Sequence, residues 1–222
     1  MVNGAFCDQT KVFSMIYERI DRGLLSVDIP KLQTHIKDHV WPLAPVFVGS
    51  YFGGWSVWSS NGTYQDGFQR GEQISDPDFM PGSMIKEKAI ALGIKSIDEY
   101  RVPTSICFGY LAEVVEQIRA LGLEPSRVRL SLLKAEGRSK KHRDSPEGRY
   151  SIRLHIPIFT NPDAVFVCEG EEAHMPADGS AYIIDVSREH QVFNRGKTDR
   201  IILLADVNDR PWITKFHRRP SG

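Results

Sequence analysis

The sequence is poor in several things, and each scarcity excludes something. It has three cysteines, Cys7, Cys107 and Cys168, far apart and with no Cys-x-x-Cys pair. A zinc ribbon or a redox dithiol is therefore not expected, and the odd, sparse count fits a reducing compartment. No apolar run approaches the roughly 20 residues that span a bilayer, so no membrane partner is expected. The opening residues, Met-Val-Asn-Gly-Ala-Phe-Cys, lack the basic patch and apolar stretch of a secretory leader. The expected location is cytoplasmic. Neither sign of charge prevails, since 28 basic residues balance 28 acidic ones. A general electrostatic grip on nucleic acid is accordingly not expected. No internal repeat or low-complexity segment is visible.

What is present is a chain of 222 residues, 41% hydrophobic and 25% charged, enough for one compact domain with a real core. A single domain over 1–222 is expected, with 1–126 shaping a substrate side and 127–208 forming a β core. Ser14 to Leu25 has helical spacing, with Ile16, Ile20 and Leu24 four apart. Ile29 to Val40 reads as a short helix or as a strand and turn. Val46 to Tyr64 is aromatic and β-like, broken by Gly53-Gly54 and by the hairpin signal Asn61-Gly62. Gln69 to Pro81 reads as an exposed loop. Leu111, Val114, Val115, Ile118 and Leu121 form one helical stripe that Gly122 ends. From Arg127 onward the texture is short strands: Arg127–Lys134, Tyr150–Phe159, Ala164–Cys168, Ala181–Asp185 and Arg200–Val207. The fold class expected is mainly β with flanking helices, a jelly roll with N-terminal helices packed on it.

The sharpest chemical feature is His142-Arg143-Asp144. On a strand, residues two apart share a face, so His142 and Asp144 can hold adjacent positions on one octahedral metal. A second histidine completes the facial triad of non-haem Fe(II) oxygenases, which leaves three positions open. His190, just after the Ala181–Asp185 strand, is the candidate. Alone, the pair is a weak signal and reads more readily as part of the solvated charge run Arg138-Ser-Lys-Lys-His-Arg143, and the downstream partners are what favour a metal. Arg200 leads an apolar strand and needs a partner there. A carboxylate ligand suits its guanidinium fork; an ion pair with Asp185, Asp199 or Asp206 is the alternative. On Tyr150–Phe159, Ile152, Leu154, Ile156 and Ile158 share one face and Arg153 and His155 the other. That suits a barrel whose interior binds an anion, or simply a half-exposed strand.

In this order and spacing, Ser131, His142, Asp144, Arg153-x-His155-x-Pro157, His190 and Arg200 resemble the aspartyl/asparaginyl β-hydroxylase family. That family belongs to the double-stranded β-helix 2-oxoglutarate oxygenases. The segment Gly54-Trp55-Ser-Val-Trp58-Ser-Ser-Asn61-Gly62 and the pair His174-Met175 are similar to its proline-hydroxylase branch. The resemblance implies Fe(II) held by His142, Asp144 and His190, with 2-oxoglutarate and O2 as co-substrates. It implies that Arg200 binds the distal carboxylate of 2-oxoglutarate, and that Ser131, Arg153 and His155 line its pocket. Some members with the Arg-x-His pattern lack the carboxylate ligand; here Asp144 occupies that place.

The implied activity is hydroxylation of an aliphatic C–H in an amino-acid-like small molecule, with 2-oxoglutarate decarboxylated to succinate. The alternatives are hydroxylation of an Asp or Asn side chain in a peptide or protein, and a non-catalytic jelly-roll binding domain. Trp55, Trp58 and Asn61 are candidates for the substrate pocket. Nothing in the residues fixes an oligomeric state. His35 and His39 have helical metal spacing, but Ile36 stands where a zinc protease needs glutamate. They are read as ordinary histidines, and His217 as part of a basic tail.

Overall fold

The computed structural model describes residues 16–20, 25–66, 97–144 and 152–207. These carry strands β1 (Ile16–Ile20), β2 (Val46–Val48), β3 (Phe52–Ser56), β4 (Trp58–Ser59), β5 (Val102–Pro103), β6 (Pro125–Leu133), β7 (Ile152–Phe159), β8 (Ala164–Cys168), β9 (Glu171–His174), β10 (Ala181–Asp185), β11 (His190–Asn194) and β12 (Arg200–Val207). Two helices, α1 (Ile29–His39) and α2 (Gly109–Ala120), precede the main run of strands.

The large sheet has the order β1-β10-β7-β12-β6-β3-β2, and the small one β11-β8-β9. From β7 onward the chain visits the large sheet, then β8 and β9 in the small one, then β10, β11 and β12 in alternation. This winding of two antiparallel sheets is a double-stranded β-helix, or jelly roll. The segment before β7 extends the small sheet. Its Arg138 bridges to Phe193 and its His142 to His190, both antiparallel.

Two cores follow from period-two alternation. On β7, Ile152, Leu154, Ile156 and Ile158 join Leu130, Leu132, Leu203 and the apolar faces of α1 and α2 in one buried cluster. Each such side chain contributes roughly 1.5–3 kcal/mol by leaving water. Helix α1 starts where Asp28 Oδ1 accepts a hydrogen bond from Lys31 N at 3.0 Å, and it buries Ile29, Leu32, His35 and Ile36. The second cluster, Phe166, Cys168, Ala173, Met175, Tyr182, Ile184 and Val186, draws on β8, β9 and β10 from both sheets. Arg153 and His155 lie on the face of β7 opposite the helix-side core and are buried.

Three expectations change. The proposed helix from Ser14 to Leu25 is a strand over Ile16–Ile20, paired antiparallel with β10; its remaining residues up to 24 lie outside the described ones. A spacing of four satisfies a two-residue period as well as a helical one, and the edge of β10 supplies the hydrogen bonds. Gly53-Gly54 does not break β3 but runs inside it. A Cβ on Gly53 would sit 2.3 Å from the Val46 carbonyl oxygen, so glycine is what lets β2 and β3 approach. Asn61-Gly62 turns the chain, but β4 pairs with β5 rather than with a strand directly after it. The loop expected over Gln69–Pro81 and the tail bearing His217 lie outside the described residues.

Candidate metal centre

His142 and His190 are brought together by backbone pairing. His142 N donates to His190 O at 3.0 Å, and His190 N donates to His142 O at 2.8 Å. This places the two imidazoles side by side, with ring centroids 4.4 Å apart. Asp144 follows two residues on, and its N–H donates to Val186 O at 2.7 Å, fixing the end of the segment. His142 Nε2 then lies 3.4 Å, and His190 Nε2 3.5 Å, from the same oxygen, Asp144 Oδ2.

The hydrogen bonds on the far side of each ring decide what faces inward. His142 Nδ1 meets Lys140 O at 2.7 Å and His190 Nδ1 meets Arg188 O at 2.9 Å. A carbonyl oxygen only accepts, so both Nδ1 atoms carry the proton. With Nδ1 so occupied, it is Nε2 of each ring that faces the carboxylate oxygen, through a lone pair whenever that nitrogen is free of a proton. Two ring nitrogens and a carboxylate oxygen facing one another suit a cation between them, a proton or a metal ion. Among the described residues this is the one group of three such donors, all within 4.8 Å of one another. Ligands about 2.1 Å from a metal stand about 3 Å apart when adjacent on an octahedron, so the set fits a divalent ion. The demand for a cation also shows on the proton. Burial opposes charging His142, but the Asp144 hydrogen bond and charge outweigh it and raise its pKa. Phe166 stacks on His190, 5.2 Å away and 15° from parallel. His190 is buried, whereas His142 and Asp144 are partly exposed, so the site opens on one side.

The inner face of the large sheet is cationic. Arg153 donates to Asp144 Oδ2 through Nη1 and to Asp206 Oδ1 through Nε, the latter at 2.6 Å. Burial alone would raise the pKa of Asp144, yet Arg153 and the two imidazoles hold it well below the usual carboxylate range. Asp206, fully buried, also accepts from Arg127 Nε at 2.6 Å and has Arg129 Nη2 at 3.8 Å.

Arg200 differs from these. It is buried, and burial alone pulls its pKa down to about 10. None of the acids considered as partners takes it: Asp199 holds Lys134 at 2.8 Å, Asp206 holds Arg127 and Arg153, and Asp185 accepts from Ser187 at 2.9 Å. No described residue offers Arg200 a hydrogen bond or a counter-ion. His155 is buried with no partner for either ring nitrogen. Burial, then the charges of Arg200 and Arg153, push its pKa well below the ordinary value. Ser131 lies two places along from Leu133, the residue opposite Arg200, and so shares its face.

Trp55 and Trp58 do not join this site. Both sit in the helix-side core. Trp55 pairs with Leu130 one residue out of phase with Ser131, and its Nε1 donates to Leu43 O at 3.0 Å. Asn61 is exposed and accepts from Thr63 N at 3.0 Å. Alternation on β3 puts Gly54, not Trp55, on the site side. Asp206, a possible partner for Arg200 from the sequence alone, instead anchors Arg127 and Arg153. Its signal was an acid inside an otherwise apolar strand.

Residues 96–210 match the profile of the family described as Aspartyl/Asparaginyl beta-hydroxylase. No curated protein sequence matches the chain. Among solved structures, a prolyl-4-hydroxylase from Pseudomonas putida aligns over 88% of this chain and 93% of its own, at 12% identity and a TM-score of 0.46. A viral collagen prolyl hydroxylase from Paramecium Bursaria Chlorella virus-1 aligns over 87% and 96%, at 12% identity and 0.42. A 2OG-Fe(II) oxygenase family oxidoreductase from Burkholderia pseudomallei aligns over 79% and 77%, at 11% identity and 0.42.

Proposed function

Because the chain belongs to the aspartyl/asparaginyl beta-hydroxylase family, we infer that it is an Fe(II)- and 2-oxoglutarate-dependent oxygenase in which His142, Asp144 and His190 hold the iron. The observation that supports this most is Arg200, a buried cation with no anion among the described residues, on the same jelly roll as an intact three-donor cluster. Burying a charge without a partner costs several kcal/mol, and a dicarboxylate supplies the missing partner. Arg200 takes its distal carboxylate through a guanidinium fork, and Ser131 on the same face adds a hydroxyl. His155, neutral and without hydrogen bonds, has a donor and an acceptor to offer in the same space. When bound, iron with 2-oxoglutarate and O2 supplies oxidative decarboxylation to succinate and CO2, and one oxygen atom for a C–H bond.

The chain's own part is to bind and orient. The Lys140 and Arg188 carbonyls fix the imidazoles, Phe166 backs one of them, and the inner face excludes water. The substrate is an amino-acid-like small molecule that enters from the exposed side of His142 and Asp144. The unit is one domain over 1–222, with 127–208 carrying the metal and 1–126 shaping the substrate side.

The test is succinate formation from 2-oxoglutarate by iron-loaded protein, screened against free amino acids and then short Asp- or Asn-containing peptides. Stimulation by a free amino acid supports the substrate class, and stimulation by peptides alone replaces it with side-chain hydroxylation. No succinate from folded, iron-loaded protein refutes the oxygenase reading and favours a binding domain.

A further inference from the structure

Arg153 ties the metal centre to the rest of the inner face. Antiparallel pairing of β7 with β12 sets it directly opposite Asp206, which grips its Nε at 2.6 Å. Asp206 is itself fixed, being fully buried and bonded to Arg127 Nε at 2.6 Å. With Nε anchored, the guanidinium plane has little freedom, and its Nη1 points at Asp144. The atom it meets is Oδ2, the same oxygen that both imidazole Nε2 atoms face.

One carboxylate oxygen thus serves two cations. An oxygen that accepts from a guanidinium has less negative charge to give a metal. A fixed positive charge next to a dication also repels it, strongly so where water is largely excluded. A dicarboxylate bound beside them changes the balance, because it brings negative charge to both.

We propose that Arg153, anchored by Asp206, shares the metal-facing oxygen of Asp144 with the metal and so makes the site weak for a bare divalent cation and strongly coupled to the dicarboxylate. The proposal rests on the reading of the triad as the iron site. Arg153 is then an affinity-setting residue and Asp206 its positioning residue. By linkage, the factor by which the dicarboxylate tightens the metal equals the factor by which the metal tightens the dicarboxylate.

The test is titration of the whole protein with Mn(II), followed by electron paramagnetic resonance, with and without saturating 2-oxoglutarate and without oxygen. In the wild type, 2-oxoglutarate should tighten Mn(II) by roughly tenfold or more, the usual range of a coupling between sites. Arg153→Met should bind Mn(II) alone roughly tenfold more tightly than the wild type and show coupling weaker by the same factor, the part due to chelation of the metal by 2-oxoglutarate remaining. A merely structural Arg153 gives the opposite sign, since Asp144 would lose its support and Mn(II) would bind more weakly. Arg153→Lys keeps the charge, so weak binding of Mn(II) alone should persist in it. Should the Met variant fail to fold, the wild type and the Lys variant still decide: no coupling in the former, or tightened Mn(II) alone in the latter, overturns the proposal. Mn(II) binding that is tight, uncoupled and abolished by His142→Ala refutes this proposal alone. Absence of any Mn(II) binding to the wild type removes the iron-site reading with it.

Discussion

Replacing Arg200 by methionine should move stability and function in opposite directions. In the folded protein burial lowers the Arg200 pKa from the ordinary guanidinium value to about 10. At 1.36 kcal/mol per pH unit, keeping this side chain charged costs the fold about 3 kcal/mol at neutral pH. No carboxylate of the described residues offsets that cost. Methionine preserves much of the stem's volume and removes the charge. Arg200→Met should therefore raise the melting temperature of the ligand-free protein by several degrees, at about 2–4 °C per kcal/mol for a chain of this size. The same change removes the cation proposed to meet the distal carboxylate. Losing one partner of a buried charged pair costs about 2–5 kcal/mol, so the 2-oxoglutarate concentration for half-maximal succinate formation should rise at least roughly thirtyfold. Calorimetry without ligand and succinate assays over a range of 2-oxoglutarate read the two effects separately. A fall in melting temperature would show that Arg200 is stabilised by an anion of the protein itself. An unchanged 2-oxoglutarate dependence would remove it from the co-substrate site.

Three other perturbations have definite outcomes. His142→Ala and Asp144→Ala should each lose stoichiometric metal by elemental analysis and lose succinate formation, with the circular dichroism spectrum retained; full activity in either variant would refute the triad. Gly53→Ala puts a Cβ 2.3 Å from the Val46 oxygen, so it should lower the urea midpoint by the equivalent of about 1–3 kcal/mol, and an unchanged midpoint would mean that β2 moves away freely. Burial, then His39, holds the His35 pKa below 6.5, and burial, then Arg200, holds that of His155 well below it. Unfolded histidines take up protons that these two refuse, so their contribution to stability is present above pH 6.5 and is lost as pH falls toward their folded values. Urea midpoints should drop between pH 7 and 5.5, and His35→Asn should flatten part of that slope.

The β core was legible because its strands are short, apolar and evenly bounded. The expected strands from Arg127 to Val207 correspond to β6, β7, β8, β10 and β12. Strands β9 and β11 were hidden because Glu171–His174 is polar, His190–Asn194 has no apolar alternation, and both sit on the half-exposed small sheet. Where apolar residues recur every four positions, as at Ile16 and Ile20, helix and strand periods coincide. Only the available edge of β10 settles that segment as a strand. Gly53 misled for a related reason. Glycine reads as a breaker in isolation, and its value here lies in the approach of β2, a contact that no local pattern announces.

The site was legible to the extent that it follows alternation along single strands, and obscure where it depends on register between strands. His142 with Asp144, and Arg153 with His155, are each two-residue pairs, visible in one strand's worth of sequence. Which arginine would be neutralised was not visible, because that is decided across strands. Arg153 and Arg200 look alike in the sequence, each a basic residue in an apolar strand. Pairing β7 with β12 puts Arg153 opposite Asp206, and pairing β12 with β6 puts Arg200 opposite Leu133. The first guanidinium is therefore spoken for by protein carboxylates, and the second meets none among the described residues. The proposed division of labour between them, one setting the metal's environment and the other receiving an anion, rests on this register. A double replacement tests whether the two act independently. If Arg153 works through Asp144 and Arg200 through the distal carboxylate, Arg153→Met should still tighten Mn(II) in an Arg200→Met background by the same factor. A factor that collapses in that background would mean that the two arginines hold one shared anion, and the division would be wrong.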